Sequence, residues 1–333
     1  MTSQTDSSDH PQLLLQQLLE LVKEDALKVE DMIRASLNHT IDLIPEVGGH
    51  LIRAGGKRLR PVLLVACARL CGYQGQEHIK LATCIEFIHN ATLLHDDVMD
   101  KSYLRRGKPT AHEIWGVPAS VVVGDFLLCR ALELMTDVES WPIVRLINQM
   151  ATRIIEGQTL DLSWEHKIDM TEEDFFHVIH LKTAWLFQTA CELGAMLSCH
   201  PEQENLRYFG YHLGMAFQLI DDVLDYTSTV PDLGKNPGQD FREGKVTLPV
   251  ILAFERATPE EKDFWKRTIV KQQQTPEDFI QALQIMSKHN VFEEVTKRAM
   301  KFLANAEENL AVFSASPLKT ALQGVLQFIY LQS

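Results

Sequence analysis

The sequence lacks paired cysteines. Its six, Cys67, Cys71, Cys84, Cys129, Cys191 and Cys199, are scattered without a C-x-x-C pair. That spacing argues against a structural zinc site or a dithiol redox centre and predicts reduced thiols packed as small apolar residues. No run approaches the ~18 uninterrupted apolar residues of a membrane span. Met1 to Pro11 is polar and has neither the basic nor the apolar block of a signal peptide, so a cytoplasmic protein with a disordered tail over 1–11 is expected. Basic residues are in deficit, 32 against 45 acidic ones for a net charge of −13, which argues against general nucleic-acid binding. A local basic patch and a bound cation could still admit a small anionic substrate. Alternating β-branched runs bounded by turns are almost absent. The nearest, Val117 to Val123, reads more naturally as helix through Gly124 to Leu128.

What remains is helical. Leu14, Leu15, Leu18, Leu19, Leu21 and Val22 recur at the spacing of an amphipathic helix. Thr171-Glu172-Glu173-Asp174 reads as a capping box. Thr258-Pro259-Glu260-Glu261, Thr275-Pro276-Glu277-Asp278 and Ser316-Pro317 add proline at a first helical position, so each predicts a helix start. The chain of 333 residues is 45% hydrophobic, ample for a large core. We expect an all-α, single-domain bundle over residues 12–333.

Two acidic motifs stand out within apolar sequence, Asp96-Asp97-Val98-Met99-Asp100 and Asp221-Asp222-Val223-Leu224-Asp225. Isolated buried carboxylates neutralise or cost several kcal/mol, so paired acids at the end of apolar runs suit a cation. On a helix the first and last aspartates of each motif lie about 40° apart, on one face. Two such carboxylates match Mg²⁺, a hard ion that shares its remaining positions with water and phosphate oxygens. The middle aspartates point about 100° away and are better placed to orient other groups. Each motif is predicted to end a helix and open into a basic, flexible loop. Gly55-Gly56-Lys57-Arg58-Leu59-Arg60, Arg105-Arg106-Gly107-Lys108, and Lys235 with Lys245 supply three cationic clusters suited to phosphate. Together they predict a site for two phosphorylated substrates. Glu86-Phe87-Ile88-His89 also spells the Glu-x-x-His pair of di-iron helical proteins, but that fold needs a second pair, and no convincing one is present.

These residues resemble the trans-isoprenyl (polyprenyl) diphosphate synthases. The resemblance rests on G-G-K-R-x-R-P at 55–61, D-D-x-x-D-x4-R-R-G from Asp96 to Gly107, and Lys182-Thr183. It continues with Gly214-x-x-Phe217-Gln218-x-x-Asp221-Asp222-x-x-Asp225, and with Gly234-Lys235-Asn236 through Lys245 to Thr247-Leu248-Pro249. It spans roughly residues 45 to 255. It implies an all-α homodimer with a central cavity and the aspartate motifs facing each other. Asp96, Asp100 and Asp221 would bind Mg²⁺, with Asp225 assisting. Arg105, Lys182 and Lys235 would hold an allylic diphosphate, and Lys57, Arg60, His89 and Arg106 isopentenyl diphosphate. Thr183 and Gln218 would line the reacting carbons. Asp96, Asp100, Lys182, Gln218 and Asp221 would carry the chemistry, and Lys245 would join the substrate-binding residues.

The family sets chain length with bulky residues just before the first motif. Here those positions hold Ala91 and Thr92, which predicts a long product of the octaprenyl kind, a quinone (ubiquinone) side-chain precursor. The product would leave by peripheral contact with a membrane. The alternatives are a shorter-chain farnesyl or geranylgeranyl synthase and a non-catalytic subunit regulating an active partner. Such a subunit would be free to lose motif residues, and this chain keeps them all. A class I terpene cyclase would need no isopentenyl site, so Lys57, Arg60 and the second motif argue against it.

Overall fold

The computed structural model describes residues 10–228 and 237–332. The chain opens with α1 (His10–Leu21), α2 (Lys23–Leu37), α3 (Leu43–Arg53), α4 (Leu59–Leu70) and α5 (Glu77–Met99). A two-stranded hairpin follows, β1 (Leu104–Arg105) and β2 (Lys108–Pro109), antiparallel with Arg105 opposite Lys108. Then come α6 (Ala111–Trp115), α7 (Val117–Thr136), α8 (Trp141–Trp164) and α9 (Glu172–Ile179), a π turn at His180–Ala184, and α10 (Trp185–Met196). The last part holds α11 (Gln203–Thr227), α12 (Gln239–Glu243), α13 (Leu248–Arg256), α14 (Pro259–Trp265), a second π turn (Lys266–Val270), α15 (Asp278–Lys288), α16 (Val291–Leu310) and α17 (Pro317–Tyr330). The fold is all-α, as expected.

The two helices that carry the acidic motifs are the spine of the core. α5 packs on α2, α4, α7 and α10, and α11 packs on α10, α13, α16 and α17. α5 is apolar around nearly its whole circumference, with Leu81, Ile85, Phe87 and Leu94 fully buried, which fixes it centrally. No helix among the described residues is long and apolar enough to cross a membrane.

Most helix starts fall where the sequence places them. Thr171 and Thr258 both form reciprocal capping boxes, and Ser316 accepts from Lys319 N at 3.2 Å. Val117 to Val123 is helix, the first third of α7. Three details differ. α1 begins at His10, inside the segment expected to be a disordered tail, and residues 1–9 lie outside the described residues. α15 begins at Asp278 rather than at Pro276, because the Asp278 carboxylate accepts from Thr275 N at 2.7 Å and from Arg267 at 2.7 and 2.8 Å, holding residues 275–277 as a turn. Finally, Cys67, Cys84 and Cys191 are buried thiols, but Cys129 and Cys199 are exposed.

Candidate functional site

The entrance to α4 is built from backbone that side chains rarely adopt. Gly55 (φ 90°), Gly56 (φ 145°) and Arg58 (φ 46°) turn the chain sharply before Leu59. Arg58 stabilises that turn. Its guanidinium is half-buried and donates to Glu30 at 3.0 Å, to the Ile52 carbonyl at 2.9 Å and to buried Glu86. Arg106 and Gly107 (φ 53° and 72°) occupy the two central positions of the hairpin turn, which needs positive φ at both. This short hairpin stands where a flexible loop was expected. A Cβ on Gly56 would lie 2.7 Å from Arg106 Nη1, so the glycine is what allows the hairpin arginine to rest against the α4 entrance.

These contacts enclose a cavity of about 590 Å³ whose lining includes Lys57, Arg60, His89, Arg106 and Asp221. Four residues assigned from sequence to one substrate are thus brought together, with an aspartate of the second motif. Arg60 lies over the Phe187 ring at 4.3 Å and its Nη1 is 3.2 Å from His89 Nε2. Burial pulls the Arg60 pKa down to about 10, despite the opposing attraction of Glu86 and Asp221. Burial, and then the charges of Arg60, Arg106, Arg105 and Arg58, hold His89 well below the ordinary imidazole range, so it is neutral. Arg60 Nε and Arg106 Nη1 are buried without a hydrogen-bond partner among the described residues. Buried donors left over in this way suit an anion.

The first motif carries a second cationic set. Asp97, 1% exposed, accepts from Arg105 Nε at 2.7 Å and lies 2.7 Å from its Nη2, and thereby holds the arginine at the end of α5. Burial works against the Arg105 charge, but the Asp97 bond overcomes it and raises the pKa. Lys245 donates to Asp100 at 2.9 Å and lies 2.8 Å from Glu243. Lys182 donates to Asp161 on α8 at 2.7 Å and is also attracted by Asp96. Lys182 and Thr183 occupy the π turn, wedged between two glycines. A Cβ on Gly157 would meet Lys182 N at 2.7 Å, and one on Gly214 the Ala184 Cα at 2.7 Å.

The second motif is woven into its surroundings. Thr183 donates to Gln218 Oε1 at 3.0 Å, and Gln218 Nε2 donates to buried Asp222 at 2.8 Å. Asp222 holds Gln218 as Asp97 holds Arg105, so both middle aspartates orient neighbours. Asp225 accepts from Gln239 N at 3.3 Å and Asp240 N at 3.0 Å, anchoring α12. Lys245 N then donates to the Asp240 carbonyl at 2.9 Å, so a continuous chain of bonds runs from Asp225 to Asp100.

Among the described residues no three acids, histidines or cysteines converge as a ready-made metal cage. The donors nevertheless fit Mg²⁺. Burial raises the Asp96 carboxyl above the ordinary range, and the like charge of Asp100 adds to this against Lys182, Arg105 and Lys245. A hard divalent ion beside Asp96 and Asp100, completed by substrate phosphate, would relieve both penalties.

Lys235 falls outside the described residues. Ala91 is fully buried and Thr92 half-buried, with its hydroxyl turned back to the His89 carbonyl at 2.8 Å. Neither lines the cavity described above. Sequence reasoning missed Asp161, Glu86 as the partner of Arg58, and the C-terminal contacts of Lys57, which reaches Gln332 Oε1 at 3.1 Å and the Phe328 ring at 4.4 Å. Asp161 had a signal: an acid in the part-apolar stretch Gly157 to Leu162. Gln332 had none.

The polyprenyl synthetase family model matches residues 41–286. Octaprenyl diphosphate synthase of Escherichia coli (strain K12) is 40% identical over 313 residues, 93% of this chain and 97% of that protein. All-trans-nonaprenyl-diphosphate synthase (geranyl-diphosphate specific) of Rhodobacter capsulatus is 38% identical, covering 92% and 94%. The crystal structure of a polyprenyl synthase from Caulobacter crescentus CB15, complexed with calcium and isoprenyl diphosphate, superposes with a TM-score of 0.92 at 42% identity, covering 95% of this chain and 97% of that one. With a family model that spans both acidic motifs and relatives that cover most of its length, the chain is a prenyltransferase and belongs to the polyprenyl synthetase family.

Proposed function

We propose that the chain condenses isopentenyl diphosphate with an allylic diphosphate, repeatedly, to an all-trans product of octaprenyl length or a near neighbour, a ubiquinone side-chain precursor made in the cytoplasm. The observation that carries this reading is the pairing of two separate cationic sets. Lys57, Arg60 and Arg106, with neutral His89 beside them, surround one cavity, and Arg105, Lys182 and Lys245 surround the first acidic motif. One diphosphate needs one such set; a condensation of two needs both.

In this reading the cavity holds isopentenyl diphosphate and the second set holds the allylic partner, with Lys235 adding to it. As the allylic C–O bond opens, negative charge gathers on the departing diphosphate, and fixed cations around it stabilise that charge. Mg²⁺ held by Asp96, Asp100 and Asp221, with Asp225 acting at one remove through α12, would supply further neutralisation. Thr183 and Gln218, locked by Asp222, present a fixed polar pair to the reacting carbons, and neutral His89 donates or accepts without adding charge. The apolar walls Phe187, Phe217 and Ile220 limit water around the carbocation. The departing diphosphate takes the final proton.

Small Ala91 and Thr92 support a long product, in keeping with the octaprenyl relative. Exposed apolar residues on α7 and α8, Val122, Leu132, Ile155 and Leu162 among them, support a homodimer. The released product reaches a membrane by peripheral contact. Incubating the chain with isopentenyl diphosphate, several allylic primers and Mg²⁺, followed by product sizing, tests the reading. Octaprenyl-range chains are expected; products ending at farnesyl or geranylgeranyl length would overturn the long-chain assignment.

A further inference from the structure

Glu86 lines the anion cavity, is 3% exposed, and belongs to neither acidic motif. A carboxylate in a pocket for an anion is a contradiction that needs a reason. Its contacts give part of one. Glu86 accepts from Arg58 and from Asn90 Nδ2 at 2.8 Å, and Asn90 also holds the Glu86 carbonyl at 2.7 Å. Arg58, however, is also held by Glu30 and the Ile52 carbonyl, so the α4 entrance does not hang on Glu86 alone. What Glu86 adds is negative charge in the same cavity as Arg60 and Arg106, each of which has one buried nitrogen, Nε and Nη1, without a hydrogen-bond partner among the described residues. It holds back the field with which they meet an anion.

The condensation explains why such restraint is useful. The new bond joins allylic C1 to the terminal methylene of the isopentenyl unit. The allylic C–O bond breaks, and the C2 proton of the isopentenyl unit passes to the released diphosphate. The lengthened product therefore keeps the isopentenyl diphosphate group and is born with its head in the cavity. A further round requires that head to move to Arg105, Lys182 and Lys245. A cavity that gripped it with the full strength of its cations would stop elongation.

We propose that Glu86 is a positioning residue that acts through Arg60 and Arg106, a fixed counter-charge that weakens the cavity's hold on the diphosphate so that the growing chain can transfer between sites. This rests on the assignment of the cavity to isopentenyl diphosphate.

The test uses the full chain and three readouts: calorimetric affinity for isopentenyl diphosphate, KM against kcat, and product length. Glu86→Gln keeps the shape and removes the charge. Its Kd and KM for isopentenyl diphosphate should fall by about threefold or more, as for loss of a buried repulsive charge. Its kcat should fall as well, and its products should shorten. Glu86→Asp should restore wild-type affinity. A merely structural role would give the opposite sign, weaker binding with a lower melting temperature, and would overturn the proposal, as would unchanged affinity. Should Glu86→Gln not fold, Asn90→Asp adds a carboxylate beside Glu86 and should weaken binding; tighter or equal binding would refute the idea. Arg60→Gln separates the two levels. If it leaves isopentenyl diphosphate binding intact, the cavity assignment itself fails. If it weakens binding while Glu86→Gln changes nothing, only the role of Glu86 fails.

Discussion

Lys245, carried by the segment that follows the second acidic motif, donates to Asp100, the last residue of the first, at 2.9 Å. Through the Asp240 backbone, which bonds both Lys245 N and Asp225, this ties two motifs far apart in sequence. Burial disfavours the Lys245 charge, but Asp240, then Asp100 and Glu243, outweigh this and raise its pKa well above the ordinary lysine range. Lys245→Gln should lower kcat/KM for the allylic substrate by about 10²- to 10³-fold, the range for removing one fixed donor to developing negative charge. Steady-state rates at saturating isopentenyl diphosphate check this, and a change under threefold would count against it.

Asp96 is the half-buried carboxylate around which Lys182, Arg105 and Lys245 gather. Asp96→Ala should abolish Mg²⁺-dependent condensation, a loss of about 10³-fold or more. Near-normal turnover with added Mg²⁺ would remove it from the metal set.

The chain-length pair should separate by burial. Ala91 is fully buried, so Ala91→Tyr overpacks the core and should cost about 1–3 kcal/mol along with any effect on products. Thr92 is half-buried and makes only a local bond, so Thr92→Tyr is the cleaner probe. It should shorten the product with little loss of melting temperature. An unchanged product distribution in a folded Thr92→Tyr chain would mean that the tunnel floor lies elsewhere.

Ile155 on α8 is 58% exposed, and Leu162, two turns on, is 46% exposed. Ile155→Glu should convert a homodimer to monomer in light scattering. A dimeric variant would place the partner surface elsewhere, and a monomeric wild-type chain would refute the homodimer.

Acid stability has a local component in Asp278. The Arg267 hydrogen bonds pull its carboxyl down to about 2, against some burial and with help from Thr275 N–H. Its unfolded value is about 3.9. A folded pKa below the unfolded one means stability that is complete above about pH 4 and disappears as pH falls toward 2. The melting temperature of wild type should therefore exceed that of Asp278→Asn at pH 6, and the gap should close between pH 4 and 2. A gap independent of pH would deny the linkage.

The sequence made the acidic motifs and the cationic clusters legible because each is contiguous: helix phase alone puts Asp96 beside Asp100. The middle aspartates could be assigned an orienting role from the same geometry, and Asp97 with Arg105 and Asp222 with Gln218 fill it. Pairings between distant helices were not legible. Nothing near Lys182 names Asp161, and nothing near Lys57 names Gln332, because those distances are set by packing. The start of α15 was misplaced for a related reason. The Thr-Pro signal is sound and Asp278 still accepts from Thr275 N, but the same carboxylate is also pinned by Arg267 and the segment before it closes as a turn. Glu86 was read only as half of a metal pair, since the arginines that define it arrive from α4 and the hairpin.

The π turn at His180–Ala184 has a consequence for how this region can change. One residue more per turn shifts everything after it by about 100° and one step along the axis. Downstream, Gly194 fits where a Cβ would meet Ala68 N and Cys67 Cβ at 2.7 Å, while upstream Gly157 fits against Lys182 N. The polar end and the packing end of this stretch are therefore cut to one ruler. A single-residue insertion or deletion between the π turn and Gly194 would slide a side chain into a slot that admits only hydrogen. The spacing of this segment, as much as its side chains, is what its packing depends on.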